Sequence, residues 1–171
     1  MIVSIHAVKF NHLRHHKHCL SEEDYEGKSA KMTWYGAILY GPIHFFLIHK
    51  VTFQLGNAQY KKNLLLELMS ICIFVGIVFY LQLNFLIYHI SVMLIGEFLM
   101  AFFAVWTVHH HTHEHPQFAR TQRSHWKNKI TFNMFYHLEH HLFPAVPTIK
   151  LPELAKRIDQ AFPKMEKKKT F

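Results

Sequence analysis

Two groups of three histidines share one spacing in this chain. His137, His140 and His141 stand at i, i+3 and i+4 in Tyr136-His137-Leu138-Glu139-His140-His141-Leu142-Phe143-Pro144. His12, His15 and His16 repeat it in His12-Leu13-Arg14-His15-His16. On a helix those offsets fall on one face, so each triplet can aim its rings at one place. Neutral imidazole is a ligand for iron, zinc, copper and nickel. With a third cluster, His109-His110-His111, the pattern points to a metal site. The 17 histidines offer too many ligands for one catalytic zinc, which takes three protein ligands and an open position. H-E-x-x-H does not occur, since His113-Glu114 is followed by His115-Pro116-Gln117, and at the last box Glu139 follows His137 by two residues rather than the three of H-x-x-E-H. Bis-histidine haem competes, because His89 lies in an apolar stretch, but haem needs two axial ligands rather than clustered triplets. An excess of imidazole in a membrane setting suits a two-metal iron centre that activates O2.

Something must carry the triplets to one place. The chain has 171 residues, enough for one domain, and half of it is hydrophobic, yet Lys and Arg outnumber Asp and Glu by 19 to 11. An oily centre with basic ends suggests a membrane protein with cationic cytoplasmic parts. Long apolar runs do not suit a nucleic-acid binder, and no nucleic-acid partner is expected. Cys19 and Cys72 form no disulfide framework, and free thiols are the default.

Residues 1–31 are polar and hold the first triplet, followed by the acidic run Glu22-Glu23-Asp24-Tyr25-Glu26-Gly27, which reads as a loop. Residues 34–55 are aromatic and apolar but broken by Pro42, His44, His49 and Lys50, and predict a re-entrant or interfacial segment. From Leu64 to Val108 there is no Lys or Arg, and Gln82-Leu83-Asn84 divides the run into 64–81 and 85–108. Each piece is near spanning length, so a transmembrane hairpin is predicted. Lys61 and Lys62 flank one open end and Arg120, Arg123, Lys127 and Lys129 the other, which places both ends in the cytoplasm. If the triplets share a site, segment 34–55 must not cross the membrane once. Residues 109–171 are cytoplasmic and hold the second triplet. An amphipathic surface helix follows on Leu151, Leu154, Ile158 and Phe162, and the basic tail from Lys164 is expected to be loose. The fold class is thus an all-α membrane protein: one transmembrane hairpin, a re-entrant or interfacial helix, and cytoplasmic histidine-rich helices, in a single domain.

The two triplets resemble the second and third histidine boxes of the integral-membrane fatty acid desaturases and hydroxylases. Ala119-Arg120-Thr121-Gln122-Arg123 and the stretch from Asn133 to Pro144 are similar to segments of bacterial-type desaturases. The resemblance runs from about residue 6 to residue 160 and is most specific at the last box. It implies two iron ions held mainly by histidines, O2 as co-substrate, a membrane-lipid or acyl-carrier substrate, and electrons from a donor such as cytochrome b5 or ferredoxin. Carried over by position, His12, His15, His16, His137, His140 and His141 would be iron ligands. The family also takes a histidine at the cytoplasmic end of the span before the last box, here one of His109, His110 or His111. His111 is favoured because Thr107, one turn earlier, offers a polar partner, and His110 is next. His113 and His115 are expected to be solvated loop residues.

The chain departs from the family at its start. The first box, H-x-x-x-H or H-x-x-x-x-H, normally lies on a membrane hairpin upstream of the second, and only residues 1–11 precede His12. His6 is too close to serve. The expectation is a C-terminal part of a desaturase, with a separate N-terminal fragment carrying the first box as a possible partner. Three functions follow: a partial O2-dependent acyl-lipid desaturase; a carotenoid or sphingolipid hydroxylase or ketolase on the same scaffold; or a non-catalytic metal-binding membrane remnant. Glu97, inside the second span, is a functional candidate by position, with a glutamic acid hydrogen-bonded between helices as the simpler reading.

Overall fold

The computed structural model describes residues 2–112 and 118–170. His113 and His115 lie outside the described residues. The described residues form no strand beyond a parallel bridge between Thr121 and Lys169. Helix α1 is Ile5–His18, capped by the Ser4 hydroxyl, which accepts from the Ala7 amide at 3.1 Å. A 3-10 turn at Gly27–Lys31 leads to α2 (Trp34–Leu39) and α3 (Gly41–Leu55), which Pro42 starts in its first turn.

Helix α4 is Ala58–Tyr80, begun by the Asn57 side chain, and α5 is Asn84–Phe98. Between them the chain turns at Leu81-Gln82-Leu83, with Gln82 in the left-handed region at φ 52°. From α5 the rod continues through a π-helical stretch, Ala101–Trp106, into the short helix α6, Thr107–His109. Two helical rods are long and apolar enough to cross a membrane: α4 with 23 residues and Asn84–His109 with 26. At 1.5 Å per residue they reach roughly 34 and 39 Å, against about 30 Å of hydrocarbon. Their side chains are exposed, among them Leu65, Met69, Ile73, Ile77, Phe85, Val92 and Ile95. A core helix of a soluble protein would bury such residues; only 11% and 17% of the two apolar windows are buried. The hairpin agrees with the sequence reading. Helix α3, with 15 residues, rises only about 22 Å, too short to span.

The short helices pack where the hairpin opens. Helix α1 lies against α3 and α4. Asn11 donates to the Ile48 carbonyl at 2.8 Å and to the Thr52 hydroxyl at 3.0 Å. At its start, Glu67 on α4 accepts from the Ser4 hydroxyl and pairs with His6 Nδ1 at 2.7 Å, while Asn63 donates to His6 Nε2 at 2.8 Å. Both His6 nitrogens are thereby used structurally. Gly41 is where α3 and α5 meet: a Cβ there would lie 1.5 Å from the Phe98 carbonyl oxygen.

Past the rod, α7 (His125–Ile130), α8 (His137–Leu142) and α9 (Leu151–Ala161) complete the chain. Helix α9 buries Leu151, Ala155 and Ile158, and Leu151 and Ala155 cluster with Tyr136. The tail is not loose as expected. Thr121 donates its amide to the Lys168 carbonyl at 2.9 Å, Arg120 Nη1 donates to the Lys169 carbonyl at 2.7 Å, and Thr170 is buried. Backbone pairing overrides the local excess of lysine.

Candidate metal centre

Seven histidines converge where α1, α6 and α8 meet, and they do so in two adjacent groups. In one, His15 Nε2 lies 3.0 Å from His109 Nε2 and 3.3 Å from His141 Nε2, and His137 Nε2 lies 2.8 Å from His109 and 3.1 Å from His141. In the other, the Nε2 atoms of His12, His16 and His140 stand 2.9 to 3.1 Å apart. The rings of His16 and His141, one from each group, have centroids 4.5 Å apart.

Each triplet is split between the groups by the same rule. The i, i+4 pair goes to one group and the i+3 residue to the other. His12 and His16 join His140, while His137 and His141 join His15 and His109. On a helix, positions i and i+4 are about 40° apart and i+3 lies about 60° to the other side. One short helix face can therefore serve two neighbouring points.

The outer ring nitrogens decide what the inner ones can do. His15 Nδ1 donates to Asp24 Oδ2 at 2.7 Å, His12 Nδ1 to Glu26 Oε1 at 3.0 Å, and His109 Nδ1 to the Phe118 carbonyl at 2.6 Å. Carboxylates and carbonyls only accept, so these rings carry their proton on Nδ1 and turn an Nε2 lone pair inward. Lone pairs 3 Å apart repel unless a cation sits among them. Imidazoles bound at about 2.1 Å and 90° to one another would stand about 3.0 Å apart, which is the spacing found. The donor set therefore fits two metal ions, and the carboxylates orient the rings as such partners do in metal sites.

The electrostatics agree. Burial first, then the neighbouring imidazoles, lower His16 and His140 to about 4, and hold His137 and His141 well below the ordinary value. His12 differs: burial opposes its charged form, but the Glu26 hydrogen bond and charge outweigh burial and raise it. Asp24 is lowered because its bonds to His15, Gly27 and Leu20 outweigh burial. Cys19 Sγ falls within 4.8 Å of the donor atoms of His15, His109 and His141. Burial, with Asp24 and Glu26, pushes that thiol up to about 12, so it is a neutral thiol beside the group.

His109, not His111 or His110, stands among the converging rings. The helix ends at His109; His110 is already extended and His111 sits at φ 56°, so neither continues the helix face. His110 stacks on Trp106 with ring centroids 4.0 Å apart and donates Nδ1–H to the Trp106 carbonyl at 2.8 Å. The aromatic pair Trp106–His110 at i, i+4 was the available signal. The acidic run read as a loop is one, but Asp24 is 1% exposed and holds His15. Gly27, three residues after Asp24 and donating to it at 2.8 Å, marks that turn in the sequence.

A cavity of about 70 Å³ is lined by Asn11, Glu26, His44, Glu97 and apolar residues including Ile48 and Val105. Glu97 faces this cavity between α3 and the second span.

A family model for fatty acid desaturases matches residues 1–169. The chain belongs to the fatty acid desaturase family. It is 63% identical over 35 residues to the sphingolipid delta(4)-desaturase DES1 of Drosophila melanogaster. That match covers 20% of this chain and 11% of the relative's length. No solved structure matches. Family membership, the two apolar helices and the histidine groups together indicate a membrane-associated protein with a site fit for a metal cofactor.

Proposed function

We propose that this desaturase-family chain contributes most of the metal site of an O2-dependent di-iron acyl-lipid desaturase. The observation that carries this is the division of seven inward-facing imidazoles into a group of four and a group of three, each at the spacing of ligands around one ion. Bound iron would supply the oxidising power that removes hydrogen from unactivated C–H bonds. The balance is one acyl CH2–CH2, one O2, two electrons and two protons giving CH=CH and two waters. This chain's own residues hold and orient the imidazoles, favour the neutral form of His16, His137, His140 and His141, and exclude water around His15, His109 and His137, which are 1–7% exposed.

The group of three is more open: the His12 side chain is 35% exposed. That favours further ligands from another segment, and we assign that role to a separate fragment bearing the first histidine box. The basic residues at the open end of the hairpin favour the cytoplasmic face for the site, where a donor such as cytochrome b5 or ferredoxin would deliver electrons. The sphingolipid desaturase match makes a sphingoid chain a second substrate class beside ordinary acyl lipids.

The test is expression of the chain in a lipid-producing host, alone and with an upstream fragment carrying H-x-x-x-H. Metal per chain and lipid products by mass are the readouts. Two irons and a product lighter by two hydrogens support the desaturase. A product heavier by one oxygen supports a hydroxylase on the same scaffold. Bound metal with no product under either condition supports a non-catalytic metal-binding protein.

A further inference from the structure

The second histidine triplet sits on a helix that cannot hold itself. Helix α8 has six residues, and a helix of that length has no stability of its own in water. The directions of His137, His140 and His141 are therefore set by whatever grips α8 from behind.

That grip is Glu139. It follows His137 by two residues, about 200° round the helix, and so faces away from His137. It is fully buried at 0% exposure. Its Oε2 accepts from the Thr121 hydroxyl at 2.7 Å and its Oε1 from Arg123 Nη2 at 2.7 Å. Arg123 Nη1 donates to the Thr121 hydroxyl at 2.7 Å, closing a triangle. Along its other edge, Arg123 Nε donates to Asp159 Oδ2 at 2.8 Å and Nη2 to Asp159 Oδ1 at 2.9 Å. Asp159 belongs to α9, and Lys167 from the tail pairs with it at 2.7 Å. The guanidinium also lies 5.7 Å from the centroid of the Tyr136 ring, one residue before the triplet. Arg123 thus donates four hydrogen bonds from a planar fork, two of them bidentate to Asp159, whereas an ammonium has three donors and no fork.

We propose that Arg123 is a positioning residue for the metal centre, joining buried Glu139 on α8 to Asp159 on α9 and so fixing the rotation at which His137, His140 and His141 face their ions. This rests on the reading that the histidine groups hold metal. Among the described residues no hydrogen bond joins Arg123 to any of the seven histidines, and it acts through Glu139. It also explains why Glu139, flanked by ligands in sequence, is kept out of the donor set: both its oxygens are engaged.

The experiment uses the full chain in detergent micelles, titrated with Co2+ under anaerobic conditions against a competing chelator. The visible Co2+ spectrum reports coordination geometry, and melting of the metal-free protein reports the fold. Arg123→Ala is expected to weaken Co2+ binding 10- to 100-fold, the range for residues that orient ligands, and to change the spectrum of the bound ion. Arg123→Lys, which keeps the charge and loses the fork, is expected to recover less than half of that loss on a logarithmic scale. Asp159→Asn spares the buried carboxylate and is expected to weaken binding at least 3-fold with a broadened spectrum. It stands as the test if Arg123→Ala loses its helical signal. An unchanged spectrum in the variants, with only a lower melting point of the metal-free protein, overturns the positioning role, as does full recovery by lysine. Failure of the wild-type chain to bind Co2+ at all overturns the metal-binding reading instead, and this proposal with it.

Discussion

Changing Asp24 to Asn should cost the four-histidine group much of its metal affinity while leaving the shape of the loop. Asp24 Oδ2 accepts from His15 Nδ1 at 2.7 Å and from the Leu20 amide at 2.8 Å, and Oδ1 accepts from the Gly27 amide at 2.8 Å. All three neighbours are donors. Asparagine has one acceptor oxygen and one NH2, so it cannot satisfy them together. If its oxygen takes the Oδ1 place and keeps the Gly27 amide, its NH2 faces His15 Nδ1 and the Leu20 amide. That ring must then give up its Nδ1 proton and carry it on Nε2, pointing into the group. A proton there occupies the lone pair the ion needs. Loss of such a partner typically costs 10- to 100-fold in metal affinity, or about 1.4–2.8 kcal/mol. The upper part of that range is expected, because the His15 and Asp24 side chains are only 2% and 1% exposed and water cannot substitute. The matched change on the other group, Glu26→Gln, should cost less, since the His12 and Glu26 side chains are 35% and 18% exposed. The assay is Fe2+ or Co2+ affinity by chelator competition, with helicity measured in parallel. A folded Asp24→Asn protein that binds metal like the wild type would refute the tautomer argument. So would a larger loss from Glu26→Gln than from Asp24→Asn.

Three further outcomes follow from the same geometry. His109→Ala should abolish one of two bound metals by elemental analysis, whereas His111→Ala should leave the stoichiometry unchanged; the reverse result would discredit the placement of the helix end at His109. Gly41→Ala would put a Cβ 1.5 Å from the Phe98 carbonyl; the forced separation of α3 from α5 should cost at least the 1–3 kcal/mol of ordinary overpacking, and a melting point equal to wild type would count against the close approach. The metal-free protein should lose stability on acidification. His16 and His140 fall from 6.5 to about 4 on folding, so between those values the unfolded chain binds more protons. Stability is then full above pH 6.5 and is lost as pH falls towards 4. Melting points that stay flat from pH 7 to 4 would contradict this.

Local information was enough for the long elements and for most of the site. A run from Leu64 to Val108 without a basic residue suits two helices long and apolar enough to cross a bilayer, because each buried charge there is costly. The breaks at Pro42, His44, His49 and Lys50 kept residues 34–55 from reading as a third span, and α2 and α3 are each too short to be one. The i, i+3, i+4 spacing placed three imidazoles on one face of α1 and again of α8, since helix geometry is fixed by the backbone alone.

What the sequence determined by itself, then, was an all-helical hairpin and six histidines able to meet. Only the tertiary structure decided how they are shared. The split of each triplet, with His15 crossing to the group of His109, His137 and His141, depends on how α1 and α8 approach one another, which the spacing of the histidines does not encode. His109 became the seventh member because the rod leaves helical geometry at His110 after a π-helical stretch, Ala101–Trp106. An unbroken α-helix counted one turn on from Thr107 had pointed to His111. Asp24, Glu26 and Arg123 lie far in sequence from most of what they orient. Burial makes Asp24 and Glu139 groups that must find a partner, and burial is a property of the assembled fold.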